Sequence, residues 1–169
     1  MKKLISLLAI LLLAAGDQAI KLLVVENLKP LGSISVIPGF LDFTYVENRG
    51  VAFGMFSGMR WLVVAITCVL CLALLLVLLF YRGRTGLSST ACVLVIAGGL
   101  GNIIDRMLYG FVVDYIAVSF FPPVFNFADC CVVIGVILLL IHFLFFHEEG
   151  GPREKLICTR PHDYRNYKR

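Results

Sequence analysis

Asp114 and Asp129 are the two residues whose type and setting point most directly to chemistry. Asp114 lies in GFVVDYI and Asp129 in FNFADCCVVIG, and neither has a Lys or Arg within four positions. Asp129 opens a long apolar run, Cys130 to Phe146, broken only by His142. A carboxylate at the mouth of such a run is costly to keep. Two carboxylates without a local counter-ion suit general acid/base work, in which one is held protonated by the other. Further polar residues gather in the same kind of setting. Asp17 and Lys21 stand four apart on one helix face and can pair. Asn102, Asp105 and Arg106 share a face by three- and four-residue spacing, as do Asn126 and Asp129. For Asp17, Lys21, Asp105 and Arg106 a purely structural reading competes: an ion-pair network that stitches helices together, since intramembrane charges pair by default.

The elements that must hold these residues follow from composition. The 169-residue chain is 60% hydrophobic and only 15% charged; soluble domains sit near 45–50% and about 25%. The mean hydropathy of +0.93 agrees. Four stretches reach the roughly 20 apolar residues that a membrane helix needs: Leu4 to Val25, Trp61 to Tyr81, Leu87 to Leu108 and Asn126 to Phe146. The first begins like a cleavable signal, with Lys2, Lys3 and a Leu-rich core. Its apolar character resumes in AIKLLVV after Asp17, so a retained span is the reading. The expected fold is an all-α membrane protein of four transmembrane helices, with a small extracytoplasmic β element between helices one and two. The membrane domain covers residues 1–147, its outer loop residues 26–60, and a basic cytoplasmic tail residues 148–169.

Loop charge sets the orientation. Lys2, Lys3, Arg82, Arg84 and the tail residues Arg153, Lys155, Arg160, Arg165, Lys168 and Arg169 mark the cytoplasmic side. Lys29, Arg49 and Arg60 are fewer over a longer outer loop, and the segment from Tyr109 to Phe125 has no Lys or Arg. Both termini are then cytoplasmic, and the polar groups of spans one, three and four fall in one layer near the outer face. The net charge of +4 is a topology signal and calls for no nucleic acid; the tail can touch anionic lipid. SISVIPGF and LDFTYVENRGVAFGMF, rich in β-branched and aromatic residues, supply the outer β element.

Other constellations carry less. Five of the six cysteines, Cys68, Cys71, Cys92, Cys130 and Cys131, lie in spans, where thiols behave as small hydrophobes; Cys158 is in the tail. His142, His147 and His162 lie away from the carboxylate layer, so no metal and no cofactor is expected. AGGLGN, residues 97–102, reads as a close helix contact. A small transporter or proton channel would use the same buried charges, but it would need ionisable groups continuing to the inner side, where the spans offer only Thr67 and His142. A non-enzymatic scaffold with an ion-pair girdle is the third reading.

DQAIK, YVENRGVAFG, GGLGNIIDR, VVDY and FNFAD, in this order and spacing, resemble lipoprotein signal peptidase, the signal peptidase II family. The resemblance runs from about Asp17 to about Gly135. It implies an intramembrane aspartic endopeptidase of the bacterial inner membrane, which removes the signal peptide from prolipoproteins just before a diacylglyceryl-modified cysteine. It places the catalytic pair on Asp114 and Asp129 and gives supporting roles to Asp17, Lys21, Asn48, Gly50, Asn102, Asp105, Arg106 and Asn126. Lipidated prolipoprotein and membrane lipid are the implied partners, and a monomer is expected. ENRG departs from the family's commoner YN-x-G by placing Glu47 before the asparagine. The outer loop that holds it is expected to act as a lid.

Overall fold

The computed structural model describes residues 2–50 and 58–146. The elements run α1 (Lys2–Asn27), β1 (Ser33–Ile37), β2 (Leu41–Asn48), α2 (Arg60–Phe80), α3 (Gly86–Leu108), β3 (Val112–Val118), β4 (Phe121–Phe125) and α4 (Phe127–Phe146). The basic tail, Cys158, and residues 51–57 of the expected lid lie outside the described residues.

All four helices are long and apolar enough to cross a membrane. Their exposed surfaces are leucine, isoleucine, valine and phenylalanine along most of their length, as on Leu8, Leu11, Leu12, Leu72, Leu140 and Phe143. Such faces have no place in water, where large contiguous apolar patches are rare, and suit lipid. Helix α3 is the exception, with buried residues from Ser88 to Arg106. It is the central helix, against which α1, α2 and α4 all pack. Small residues permit this. A side chain at Gly98 would collide with the backbone carbonyl of Ala128 on α4, and one at Gly101 with the carboxylate of Asp17 on α1. With no hydrophobic force between helices in lipid, such close approach supplies the packing.

At one end of the bundle the chain forms a four-stranded antiparallel sheet in the order β1-β2-β3-β4. Strands β1 and β2 occupy the loop in which the sequence suggests a β element. The other half, β3 and β4, comes from the segment between α3 and α4, for which the sequence reading assigns no strand. Pro122 and Pro123 argue against a strand there, yet they sit in β4, an edge strand, where proline is tolerated. Antiparallel pairing of β2 with β3 zips the two inter-helix segments together and so fixes Asp114, on β3, over the helix ends.

Candidate active site

The local sequence NFAD determines how α4 begins. The backbone N–H of Asp129 donates to Asn126 Oδ1 at 2.9 Å, and the backbone N–H of Asn126 donates to Asp129 Oδ2 at 3.1 Å. This reciprocal pair is a capping box built from Asn and Asp at the N-cap and third helical positions. The remaining free N–H groups of the first turn are taken up from other elements, as a buried helix end requires. Phe127 donates to the hydroxyl of Tyr115 on β3 at 3.3 Å, and Ala128 donates to Asp17 Oδ1 on α1 at 3.0 Å. Helix α4, and Asp129 with it, is thereby held to β3 and α1 at once.

Asn126 is fully buried and has a second task. While its oxygen caps α4, its Nδ2 donates to Asp114 Oδ1 at 2.6 Å and to Asn102 Oδ1 at 3.2 Å. Asn102 Oδ1 also accepts from the Lys21 ammonium at 3.0 Å. Ammonium has donors only, so the Asn102 oxygen must face it and the amide nitrogen turns the other way. That nitrogen donates to Asp129 Oδ1 at 2.8 Å. Asp114 and Asp129 are thus joined through two side-chain amides. On its far side Asp114 Oδ2 accepts from Asn48 Nδ2 at 2.8 Å.

Beneath the amides lies an ion cluster. Lys21 Nζ pairs with Asp17 at 2.8 Å and with Asp105 at 3.0 Å; with Asn102 this satisfies all three ammonium protons. Asp105 Oδ2 accepts the backbone N–H of Val113 at 3.0 Å, which holds β3 at the residue before Asp114. Gln18 Nε2 donates to Asp105 Oδ1 at 2.9 Å and to the Gly101 carbonyl at 3.1 Å. The structure therefore pairs Asp105 with Lys21, eighty-four positions away, and not with its neighbour Arg106. Adjacent helical residues do not face each other. Arg106 instead donates to the carbonyls of Gly50 at 2.9 Å and Asn102 at 3.3 Å. Its charge acts on Asp129 and Asp114 through space. Gly50 N donates to Asn48 Oδ1 at 3.0 Å, which closes the outer edge of the site.

All ten residues singled out from the sequence meet in this one constellation. Gln18 and Tyr115 join them without having been assigned a role. Gln18 stands beside Asp17 in the polar stretch of α1, which was the available signal. Tyr115 follows Asp114 in a strand that the sequence did not announce. Asp114 is 1% exposed; its burial, and next the charge of Asp129, push its carboxyl up to about 6, although the Asn48 and Asn126 amides pull the other way. Burial also pushes the Tyr115 phenol up to about 12. Asp129 is half-buried and faces an apolar cleft of about 590 Å³ between β4 and α4, lined by Phe121, Pro123, Phe125, Cys130 and Val133 among others.

This arrangement can perform acid/base chemistry on a water at the mouth of an apolar cleft. Comparisons with known proteins agree on its family. Residues 9–145 match the model described as signal peptidase (SPase) II. The lipoprotein signal peptidase of Halothermothrix orenii is 44% identical over 144 residues, 85% of this chain and 97% of that protein. That of Clostridium acetobutylicum is 40% identical over 139 residues, covering 78% and 90%. A solved bacterial membrane enzyme superposes with a TM-score of 0.77 at 35% identity, over 88% of this chain and 93% of its own. With the match spanning the bundle, the sheet and both carboxylates, the chain belongs to the signal peptidase II family.

Proposed function

We propose that Asp114 and Asp129 are the catalytic pair with which this membrane aspartic peptidase removes signal peptides from prolipoproteins. The observation that carries the reading is the amide link: Asn126 and Asn102 hold two carboxylates, drawn from a strand and a helix, in one buried network.

The chemistry follows from their unequal surroundings. Asp114 is the more deeply enclosed and holds a proton up to about pH 6. A bound apolar substrate that displaces water raises it further. Asp129, at the cleft, is the carboxylate that takes a proton from the attacking water. The water oxygen bonds to the scissile carbonyl carbon while Asp114 donates its proton toward the carbonyl oxygen. Collapse of the tetrahedral intermediate breaks the C–N bond; the leaving amine takes the proton held by Asp129, and the hydroxyl that re-forms the carbonyl returns its proton to Asp114. The pair thus begins and ends each cycle with one proton between its two carboxyls. Asn48 and Asn126 keep Asp114 oriented. Lys21, Asp17 and Asp105 hold α1, α3 and β3 in register beneath them. Arg106 supports Gly50, and with it the turn that begins with Asn48.

The substrate's lipid explains the site's place. A diacylglyceryl-modified cysteine keeps its cleavage bond close to the membrane interface, where its acyl chains can stay in lipid. Loop charge supports an inner-membrane orientation with both termini cytoplasmic and the site near the outer face. The basic residues 148–169 then form a cytoplasmic tail, and the protein acts as a monomer.

Cleavage by the detergent-purified chain tests the reading. A precursor peptide carrying diacylglyceryl on its cysteine is cut just before that residue without added metal or ATP, and the same peptide unlipidated is cut at least about tenfold more slowly. Equal cleavage of both, or of neither, contradicts it.

A further inference from the structure

Glu47 lies outside the network just described, on the other face of the sheet, and gathers three donors. Its Oε1 accepts from Lys29 Nζ at 3.3 Å and from the Tyr45 hydroxyl at 3.2 Å, and its Oε2 from Arg49 Nη2 at 3.2 Å. Lys29 also lies over the Tyr45 ring, 5.1 Å from its centre, and Arg49 lies over Phe111 at 5.6 Å. These contacts tie the turn after α1, the middle of β2, the end of β2 and the approach to β3 to one carboxylate.

The place is sensitive. Strand β2 is irregular between Phe43, opposite Ile116, and Val46, opposite Asp114: two residues, Thr44 and Tyr45, stand against the single Tyr115. Such a bulge re-aims the side chains that follow it. After it, Val46 and Asn48 share the face of Asp114, one rung apart, which lets Asn48 reach Asp114 Oδ2 at 2.8 Å. A slip of one residue would turn Asn48 to the opposite face. Glu47 grips Tyr45 in the bulge on one side of Asn48 and Arg49 on the other, so it clamps the residues that decide the register there.

We propose that Glu47 is a positioning residue for the cleavage reaction, acting through β2 to hold the Asn48 amide on Asp114. The inference rests on the reading of Asp114 as catalytic. The side chain of Glu47 is 30% exposed and those of its partners Lys29 and Arg49 are 49% and 68% exposed. Exposed pairs contribute little to global stability. The effect of Glu47 therefore falls on the orientation of Asn48 and not on whether the chain folds.

The test is steady-state cleavage of the lipidated precursor by the full chain carrying Glu47→Ala, Glu47→Gln, Asn48→Ala or Asp114→Asn, with thermal midpoints measured alongside. Glu47→Ala lowers kcat roughly three- to tenfold, the range spanned by one hydrogen bond's net contribution, with KM within about twofold. Glu47→Gln keeps the acceptor and recovers much of the loss. The groups that set the titration of Asp114 are Asp129, Asn48, Asn126 and Lys21, and Arg106 acts on it across the site. A loosened Asn48 removes a bond that favours ionised Asp114, so Asp114 keeps its proton to higher pH and the alkaline limb of the kcat profile moves to higher pH in Glu47→Ala. The thermal midpoint stays within about 2 °C of wild type. Unchanged kcat and alkaline limb would overturn the proposal. So would a loss of activity that tracks a loss of stability equally in both Glu47 variants. If Glu47→Ala does not accumulate, Arg49→Ala, which removes one donor from the clamp, is read by the same criteria. Retained turnover in Asp114→Asn overturns the underlying catalytic reading; impaired Asp114→Asn and Asn48→Ala beside a normal Glu47→Ala overturns the positioning role alone.

Discussion

Asp114 places a carboxyl where folding disfavours its charge, and that has a consequence for stability. Its proton is held up to about pH 6 in the folded chain, against an ordinary value of 3.8, chiefly through burial and then through Asp129. Folding therefore binds a proton between roughly pH 4 and 6, and stability rises as pH falls through that window. The net difference of about 2 units, in which the opposing pull of the Asn48 and Asn126 amides is already included, corresponds to at most about 3 kcal/mol. Asp114→Asn carries no such proton. Thermal unfolding in detergent between pH 4.5 and 7.5 should show the wild type gaining on Asp114→Asn as pH falls, with the gap changing most around pH 5, midway through that window. A constant gap across the range contradicts the burial argument. The same residue shows why counter-ions were hard to assign from spacing. Asp114 and Asp129 lack basic neighbours in sequence, and in the fold their closest partners are amides from Asn48, Asn102 and Asn126. The Lys21 ammonium that anchors the Asn102 amide is spoken for by Asp17 and Asp105. The Asp17–Lys21 pair was visible because it is local; the Lys21–Asp105 pair spans two helices and is fixed only by their packing.

Helix α4 shows how an element can carry chemistry in its cap. One side chain, Asn126, caps the helix through its oxygen and reaches Asp114 through its nitrogen. The two roles can be separated. Asn126→Ser keeps a capping oxygen and loses the reach, so it should be more stable than Asn126→Ala by about 1 kcal/mol while kcat falls by roughly tenfold or more below wild type. Asn126→Ala loses both and should cost about 1 kcal/mol or more in stability as well. Thermal unfolding and precursor cleavage measured on both variants check this, and equal activity of Asn126→Ser and wild type would detach Asn126 from the reaction. The four spans were legible because hydropathy over some 20 residues is a strong signal. The strand carrying Asp114 was not, since VVDYIAV is short and is followed by two prolines. What makes it a strand is β2, contributed by a segment more than sixty residues earlier, and no local pattern encodes that pairing. The FNFAD capping box, by contrast, was present in the sequence as Asn and Asp three apart; only their mutual bonding, and the docking of Asp17 onto Ala128, required the fold.

On the scale of the whole molecule, the active end of the bundle is defined twice. The sheet and the carboxylate network lie where α1 and α3 end and α2 and α4 begin, and on the proposed orientation, which rests on loop charge, that end is outside. Single cysteines introduced at Ser33, in β1, and at Arg82, in the α2–α3 turn, on an active cysteine-free background, should label oppositely with an impermeant thiol reagent once the outer face is accessible. Position 33 reacts and position 82 does not; the reverse pattern would invert the molecule. Orientation matters for function because it decides which leaflet presents the lipidated cysteine. Under the proposed function, the long apolar faces of the bundle let the acyl chains of a substrate stay in the membrane while its peptide bond reaches Asp129.

The central claim is that Asp114 and Asp129 act as one unit, and a double-mutant comparison tests it most directly. Turnover of the diacylglyceryl-modified precursor is measured for Asp114→Asn, Asp129→Asn and the double variant, each purified in detergent and checked for folding by thermal unfolding. Each single change should abolish detectable turnover, or lower it by about 10³-fold or more, and the double variant should be little worse than either, since groups that share a proton fail together. Near wild-type turnover by Asp129→Asn, or a double variant slower by the product of two modest single effects, would contradict the account.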